Sequence, residues 1–531
     1  MNFGRLSASG RILIAALLLL GGCSVPSAPA ATTRPPSAAP SVAPSASPSA
    51  ATANGGTPPA DAPPLATLYG DGHTDGVATA RIDVIGLERS APNAVTARFR
   101  ISADQGEVRL EGFHAGQLAG DTPYDYIQAA SGFFLLDDPR FSVYYPMKKD
   151  DAEVRARCLC SYSGPLAKAT PGSPALMWAT YQVPPETTSL AVGFDSAGLT
   201  APLPISPAGT GPRLDGEPDA AAIAAAFPLT VPLATRSDAT TTSVTESDQQ
   251  VELALNTDVL FAFDKAALTS RAKQTLQRVA ERVRTEAQGA VRVVGHTDDV
   301  GDDTYNMDLS LRRAKAVQKA LTGLVGPVPL QVEGKGETEP AVPATSDAAR
   351  ARNRRVEVTF QRLPKPAGAP RTPVPTPSVT ATTTATTAVP TATGLRELTG
   401  LKADLRELRR INDRTLIATV TFRHAGGGDR VSLERGAWDP DVDQQAGIYG
   451  YKLDFFWLAL TDAARTRYLP LTTPGRLDVP RHCVCSSTVL KSLGAGEQIR
   501  MFVLMTAPPA DVTSVDVNLF GFTPMHDVPI T

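Results

Sequence analysis

The 531-residue sequence has few aromatic residues, no marked excess of charge of either sign and few cysteines. Its 51 basic and 54 acidic residues leave a formal net charge of −3, which argues against a strongly basic nucleic-acid-binding protein. No apolar run of about 18 residues follows residue 22, so we expect no transmembrane helix in the mature chain. The hydrophobic fraction of 42% excludes collagen, coiled-coil and fully disordered chains. The 46 prolines, beside 6% aromatic residues, instead predict unstructured spacers between about three folded domains.

The first 22 residues are typical of an export signal. Two arginines precede an apolar run from Ile12 to Leu20, which is too short to span a bilayer. The run ends in a Leu-Gly-Gly-Cys sequence that resembles a bacterial lipoprotein box. This resemblance implies cleavage after Gly22 and lipid attachment to Cys23. The alternative is an ordinary signal peptide, here residues 1–22, with an incidental cysteine.

Three stretches are predicted to be linkers. Residues 24–64 contain 11 prolines among mostly Ala, Ser and Thr, so they cannot bury enough apolar surface to fold. We predict a disordered tether over 23–65, a linker over 207–249 and a Pro/Thr-rich linker over 363–393. The folded regions between them are the first β region (66–206), the central region (250–362) and the second β region (394–531).

The two β regions share residues at a nearly constant offset. Asp83 and Leu87 match Asp404 and Leu408, and the first Cys-x-Cys motif matches a second one 325 positions later. Further matches pair Phe99-Arg100 with Phe422-Arg423, Phe133-Phe134 with Phe455-Phe456, and Pro184-Pro185 with Pro508-Pro509. Short alternating apolar and polar runs in both regions favour antiparallel strands. We predict a multidomain chain in which two duplicated β-sandwich-like domains flank a central α/β domain.

The four cysteines of the β regions form two Cys-x-Cys motifs. Metal sites more often use a longer spacing with a second pair in the same domain, and outside the cytoplasm disulfides are the default. Alternate residues of a strand lie about 6.5 Å apart, near the upper limit for a disulfide. A bond between Cys158 and Cys160, or between Cys483 and Cys485, therefore requires a bend. The alternatives are free thiols or disulfides between the two β regions. We expect no metal ion and no other cofactor.

The central region combines helical and strand patterns. Apolar residues spaced four, three and four apart predict a helix over 272–283, and another helix is predicted over 304–324. Strands are predicted over 251–263, 291–294, 330–332 and 355–360. Alternating strands and helices indicate an α/β layer with a βαβαβ-type order.

Four motifs of the central region occur in an order found in one known family. They are Gly295-His296-Thr297-Asp298, Tyr305 to Ala314, Gly334-Lys335-Gly336-Glu337, and Arg352 to Val358. This set resembles the OmpA-like C-terminal domain of peptidoglycan-associated lipoproteins, outer-membrane proteins and flagellar stator subunits. The resemblance implies noncovalent binding of peptidoglycan through the diaminopimelate residue of its stem peptide.

The chemistry of diaminopimelate suits particular residues of these motifs. Its free end is a zwitterion, so its site needs an acid and a base a few ångströms apart, and the planar fork of Arg matches a carboxylate. By the family pattern Asp298 binds the ammonium and Arg313 binds the carboxylate. Other positions that the pattern places around the pocket are Asp264, Asn306 and Arg354. The alternatives are a structural ion pair between Asp298 and Arg313, a helix cap at Asp264 and a solvated charge at Arg354.

The predicted function is that of a lipid-anchored protein of a bacterial cell envelope, on the plasma or outer membrane, which links that membrane to peptidoglycan. The β regions would add a surface for an unknown protein or glycan partner; no nucleic acid is expected. One alternative is an adhesin or interaction protein whose β regions carry the main function. Another is an outer-membrane porin, which requires long strands with aromatic girdles. We expect no enzyme, because Gly-x-Ser-x-Gly and His-Glu-x-x-His motifs are absent and the six histidines are scattered.

Overall fold

The described part of the chain is mostly β, with several sheets and few helices. The computed structural model describes residues 61–71, 79–110, 130–150, 157–162, 167–194, 197–211, 213–262, 264–342, 346–363, 389–433, 458–473, 483–486 and 492–531. Cys23, the predicted signal peptide and most of the tether and of the 363–393 linker lie outside these residues. None of the described helices has the length and apolarity needed to cross a membrane.

The first β region is built from two main sheets. Its strands are β1 (Ala66–Asp71), β2 (Thr79–Ala91), β3 (Ala94–Ala103), β4 (Val108–Arg109), β5 (Phe133–Asp137), β6 (Ser142–Lys148), β7 (Lys168–Ala169), β8 (Ala175–Gln182), β9 (Ser189–Phe194), β10 (Gly198–Leu199) and β11 (Leu203–Pro204). One sheet has the order β1-β2-β3-β8, and the other contains β10, β9, β5 and β6. The rings of Phe99 and Phe133 stack with their centroids 3.8 Å apart. The apolar core therefore includes residues of both sheets.

Residues 207–249, which the sequence predicts to be a linker, contain a helix and three strands. These are α1 (Ala220–Ala225), β12 (Phe227–Pro232), β13 (Thr235–Asp238) and β14 (Thr242–Glu246). We call this stretch the connecting segment. Strand β12 pairs antiparallel with β6, and β13 forms a hairpin with β14. The segment differs from the predicted spacer because strand pairing satisfies its backbone groups without an apolar core of its own.

The central region has helices packed on a mixed sheet. Its elements are β15 (Gln250–Asn256), α2 (Thr257–Leu260), α3 (Ser270–Glu286), β16 (Ala287–Gly295), α4 (Asp303–Val325), β17 (Leu330–Gly334), α5 (Asp347–Asn353) and β18 (Arg355–Arg362). Strands β16 and β17 are parallel, and the other pairs are antiparallel. The predicted apolar stripe of α3 is buried. The first strand ends earlier than predicted, because the side chain of Asn256 accepts the Asp258 N–H and starts α2.

The second β region contributes to two main sheets and contains a small two-stranded sheet of β22 and β25. Its elements are β19 (Thr391–Thr393), a 3₁₀ helix (Arg396–Leu398), β20 (Leu401–Arg410), β21 (Thr415–His424), β22 (Val431–Ser432), β23 (Leu458–Thr461), β24 (Arg467–Tyr468), β25 (Ser492–Leu493), β26 (Gln498–Thr506), β27 (Ser514–Leu519) and β28 (Met525–Pro529). One sheet has the order β19-β20-β21-β26. The other strands include β24-β23-β27-β28, which end a ten-stranded sheet.

The ten-stranded sheet joins the central region to the second β region through the connecting segment. Its order is β17-β16-β18-β15-β14-β13-β24-β23-β27-β28. Leu233, between β12 and β13, is fully buried in an apolar cluster shared by both β regions. The other buried members are Phe134, Leu136, Phe141, Val143, Tyr145 and Ala191 of the first region, and Ile417, Leu471, Val484, Phe502 and Leu504 of the second.

Strand registers correct one of the residue matches between the β regions. The β2–β3 and β20–β21 pairs each contain a bulge, after Val84 and after Leu405. Val84 lies opposite Phe99, and Leu405 lies opposite Val420. The register therefore aligns Phe99 with Val420 and not with Phe422. The sequence match was displaced by two residues, which keeps a side chain on the same face of its strand.

Each Cys-x-Cys motif is closed on itself. The structure joins Cys158 to Cys160 and Cys483 to Cys485, with Cα atoms 5.2 and 5.3 Å apart. These separations are shorter than the roughly 6.5 Å of an extended strand. The backbone bends at the middle residue of each motif, as an i to i+2 bond requires.

Candidate functional site

The site forms where β16 ends against helix α4. The chain leaves β16 at Gly295 and reaches Asp298 before α4 begins. Asp302 caps this helix by accepting the backbone N–H groups of Thr304 and Tyr305 at 2.9 and 3.2 Å. A Cβ atom at Gly295 would lie 2.1 Å from the Ser310 carbonyl oxygen. The absence of a side chain at this position therefore allows α4 to pack against the strand.

One buried face of α4 points to the loops around the strand ends. Asn306 and Arg313 are 2% and 5% exposed, and Leu309 lies between them on the same face. The Asn306 Nδ2 atom donates to the Glu337 carboxylate at 2.7 Å and to the Val300 carbonyl at 3.2 Å. Asn306 thus ties the loop after β16 to the loop after β17.

Arg354 bridges two carboxylates at the mouth of the site. Its Nη1 atom donates to Asp298 at 2.7 Å, and its Nε and Nη2 atoms donate to Asp258 at 2.9 and 2.6 Å. These hydrogen bonds, first the one to Asp258, raise the pKa of Arg354. Arg354 is therefore an ion-pair partner and not merely a solvated charge. In the described part of the chain, Asp298 pairs with Arg354 and forms no direct ion pair with Arg313.

Arg313 is buried but has no carboxylate partner among the described residues. Its Nε atom donates to the Lys265 carbonyl at 3.2 Å, and its guanidinium carbon lies 5.6 Å from the centroid of the Phe261 ring. Burial lowers the pKa of Arg313, while the nearby charge of Asp258 acts in the opposite direction. No described group accepts a hydrogen bond from its two terminal nitrogens.

Asp264 lies at the edge of the site in a left-handed conformation, with φ of 56°. Its carboxylate accepts a hydrogen bond from the Tyr305 hydroxyl, and this bond raises the pKa of Tyr305. Asp264 is not the cap of α3, because Thr269 caps that helix by accepting the Ala272 N–H at 3.1 Å. The contact with Tyr305 instead connects the loop before α3 to the first turn of α4.

Sequence reasoning missed three participants in this site. Tyr305 and Glu337 stand inside the quoted motifs, so the motif boundaries could have suggested them. Asp258 stands outside every motif, and only the fold brings it to Arg354, which is 96 positions away. The five predicted residues lie around one area of the central region, but only Asp298 and Arg354 are bonded to each other through their side chains. Asp264 bonds to Tyr305, Asn306 to Glu337, and Arg313 to the Lys265 carbonyl.

Two other polar residues of the central region lie close to charged side chains, although neither ring nitrogen of His296 forms a hydrogen bond with a described residue. Asp299 pairs with Arg350 at 3.0 Å. His296 is 1% exposed, and its Nε2 atom lies 3.6 Å from the Glu357 carboxylate. Burial tends to raise the pKa of Glu357, but His296 and Arg355 outweigh it and lower this pKa to about 2. No cluster of three His, Cys, Asp or Glu side chains suited to a metal ion occurs among the described residues.

The arrangement can bind a small ligand that carries both charges. A buried guanidinium offers two terminal nitrogens, and carboxylates of Asp298, Asp258 and Asp264 lie near enough to influence its charge. A guanidinium fork binds a carboxylate through two parallel hydrogen bonds, whereas an ammonium group donates to carboxylate oxygens. The chemistry is that of recognition, by charge-assisted hydrogen bonds, of a compact zwitterion.

Comparison with known proteins identifies the central region. The model of the OmpA family matches residues 260–354. Outer membrane protein A of Bordetella avium is 38% identical over 108 residues, which are 20% of this chain and 56% of that protein, so the chain spans only about half of its length. The putative lipoprotein YfiB of Escherichia coli (strain K12) is 35% identical over 119 residues, 22% of this chain and 74% of that protein.

A solved structure, the peptidoglycan-associated lipoprotein from Burkholderia pseudomallei, is 29% identical to this chain. The match covers 19% of this chain and 88% of that one, with a TM-score of 0.18. The family match runs from Leu260, the last residue of α2, to Arg354, and it includes every residue of the site described above except Asp258. Through this central region the chain belongs to the OmpA family.

Proposed function

We propose that the protein binds peptidoglycan noncovalently, through the diaminopimelate residue of the stem peptide, and connects a membrane of the bacterial cell envelope to the wall. The observation that carries this proposal is the buried guanidinium of Arg313, which has no acidic partner among the described residues. Asp298 lies at the same site and holds a position where the family pattern places the ammonium contact. Names of relatives, an outer membrane protein and a lipoprotein, support the envelope location.

The pocket provides for the two charged ends in different ways. Arg313 would bind the carboxylate with its terminal nitrogens. Asp298 would accept from the ammonium while remaining bonded to Arg354 through its Oδ2 atom, since a carboxylate has two oxygens and about four acceptor directions. Asn306, Asp264 and Arg354 hold the surrounding loops in place. Nothing in this role requires bond cleavage.

Sedimentation of the full mature chain with purified sacculi tests the proposal. Charge-assisted hydrogen bonds contribute roughly 1.5–3 kcal/mol each, so Asp298→Asn and Arg313→Lys should each weaken binding by about ten-fold or more. A matched control is Glu281→Ala/Arg284→Ala, which removes an exposed ion pair of α3 and should bind like the wild type.

Two outcomes would count against the proposal in different ways. Wild-type binding by a folded Asp298→Ala/Arg313→Ala protein would disprove the pocket assignment. Failure of the unchanged chain to bind any sacculi would disprove the function. Circular dichroism of each variant establishes that a loss of binding does not reflect unfolding.

The proposed anchor is Cys23, which follows the lipoprotein box at the end of the apolar run. Two acyl chains give stable membrane attachment, whereas one gives only weak binding. Mass spectrometry of the mature N-terminus should therefore find a diacylglycerol-modified cysteine, and Cys23→Ser should release the protein from membranes. An unmodified N-terminus at another residue would contradict this assignment.

The β regions are proposed to be duplicate sandwich-like domains that present a surface to a protein or glycan partner. Matched buried contacts support the duplication. Asp83 accepts from Thr67 at 2.6 Å and Asp404 accepts from Thr391 at 2.8 Å, and each threonine lies directly opposite its aspartate on the neighbouring strand. Two tyrosine hydroxyls likewise donate to aspartates, Tyr144 to Asp137 at 2.8 Å and Tyr468 to Asp462 at 2.9 Å. Pull-down from envelope extracts with the full chain, compared with a chain truncated after residue 363, tests whether the second β region recruits a partner.

A further inference from the structure

The charged groups of the candidate site differ in whether they are bonded to a partner. Asp258 and Asp298 share the guanidinium of Arg354, and Asp264 accepts the hydroxyl of Tyr305. Arg313 is the most buried of the site's charged groups, yet it has no acidic partner among the described residues. A buried charge without a partner is unfavourable, and an anion that enters the site relieves this cost. The ligand group most needed by this site is therefore an anion.

The orientation of Arg313 defines which anion fits. The Nε edge of its guanidinium is used by the Lys265 carbonyl at 3.2 Å, and the Phe261 ring lies 5.6 Å from its central carbon. The two terminal nitrogens form the remaining edge, which offers two nearly parallel N–H groups. Such a fork matches the two oxygens of a carboxylate.

A carboxamide cannot replace the carboxylate at this edge. It has one acceptor oxygen, and its NH₂ group would place donors against the N–H donors of Arg313. It also carries no charge, so the buried guanidinium would gain no directly bonded anion. The carboxylates of Asp258, Asp264 and Asp298 act on its charge from nearby, but among the described residues none of them forms an ion pair with Arg313.

We propose that the site discriminates between stem peptides by the state of one group: it binds diaminopimelate with a free carboxylate at the zwitterionic end and rejects the form in which this carboxylate is amidated. Enzymatic amidation of the wall would then weaken attachment of the protein without any change in the protein itself. The inference rests on the proposed peptidoglycan-binding function and specifies its substrate class.

The test compares two soluble ligands on the full mature chain. They are disaccharide tripeptides that differ only in a free or an amidated diaminopimelate carboxylate, and titration calorimetry gives the Kd of each. Loss of a charge-assisted contact predicts that the amidated ligand binds about ten-fold more weakly or worse. Arg313→Gln should lower affinity for the free acid and bring the two Kd values within about three-fold. Arg278→Gln, which removes an exposed arginine from α3, should keep the wild-type ratio.

Each result distinguishes this inference from the function on which it rests. If the wild type binds neither the ligands nor sacculi, the proposed function fails. If it binds both ligands with equal affinity, the function stands and the proposed discrimination is wrong. The wild-type comparison decides this without any variant. If folded Arg313→Gln keeps the wild-type ratio of the two Kd values, a group other than Arg313 recognises the carboxylate and the assignment to Arg313 is wrong.

Discussion

Replacing Gly295 with alanine should displace helix α4 while leaving every residue of the site unchanged, so it tests whether binding depends on the position of the helix. The added Cβ would lie 2.1 Å from the Ser310 carbonyl oxygen, whereas ordinary contact begins at 3.4 Å. The helix or the strand must therefore move by about 1.3 Å, since the atom that is met belongs to the helix backbone. Asp298 follows Gly295 by three positions, while Arg313 follows Ser310 by three. The movement would thus change the relation between both binding residues.

The expected result is a loss of binding in a protein that remains folded. Binding groups need to be held within roughly 0.5 Å of their productive geometry, so sacculus binding by Gly295→Ala should fall about ten-fold or more. Overpacking of this kind destabilises a protein by typically 1–3 kcal/mol, which a chain of this size should survive. Sedimentation with sacculi measures the first effect, and urea denaturation followed by circular dichroism measures the second.

The matched control lies on the same helix. Gly323 has no atom within 4 Å of its ideal Cβ position, and it is an interior residue of α4. Gly323→Ala should therefore stabilise the protein by roughly 0.5–1 kcal/mol and leave binding unchanged. Wild-type affinity and stability in Gly295→Ala would refute the reasoning, because they would mean that α4 does not approach β16 as closely as described.

Three further predictions concern the rest of the molecule. Leu233→Ala should destabilise the chain by about 2–5 kcal/mol in urea denaturation, because this side chain is fully buried between the β regions, whereas Leu363→Ala at a 50% exposed position should have little effect. The pKa of Glu357 is held at about 2 against an ordinary 4.5, so its ionised carboxylate contributes roughly 3 kcal/mol to the free energy of unfolding above pH 4.5. This contribution is lost as the pH falls towards 2. Glu357→Gln should therefore make the free energy of unfolding less dependent on pH below 4.5, and an unchanged pH dependence would contradict this prediction. Non-reducing peptide mapping should find Cys158 bonded to Cys160 and Cys483 to Cys485, whereas a peptide joining Cys158 to Cys483, or four free thiols, would exclude this pairing.

The sequence predicted those parts of the central region that depend on local pattern. The apolar stripe of α3 and the shared face of Asn306 and Arg313 follow from helical spacing, and both are buried. The partner of Asp298 could not be predicted in this way. Several arginines were available, and the choice of Arg354 depends on the position of β18 beside β16. Asp258 joined the site for the same reason, through the pairing of β15 with β18.

The connecting segment shows where reasoning from composition fails. Its many small and polar residues predict a spacer, because such a stretch cannot form an apolar core alone. Yet Glu217 in this segment bonds to the buried Arg98 at 2.5 Å, and Glu88 bonds to the same guanidinium at 2.6 Å. The Trp178 indole also donates to the Asp215 carbonyl at 3.2 Å. Polar residues of this segment form hydrogen bonds and ion pairs with buried groups of the first β region. The average composition of the segment does not reveal this role.

A comparable position in the second β region is covered by apolar residues and not by charged residues of the connecting segment. Ser161 accepts the Trp178 N–H at 3.0 Å, and Ser486 accepts the Phe502 N–H at 3.0 Å, so the two aromatic residues occupy equivalent places. Trp178 lies opposite the charged Arg98, whereas Phe502 lies opposite Thr419 and packs in the apolar cluster with residues of the first region. The buried Arg98 is paired with two carboxylates, Glu217 of the connecting segment and Glu88 of β2, whereas Phe502 is covered by apolar residues of the first β region. The residues beside Trp178 thus include charged side chains, whereas those around Phe502 are apolar.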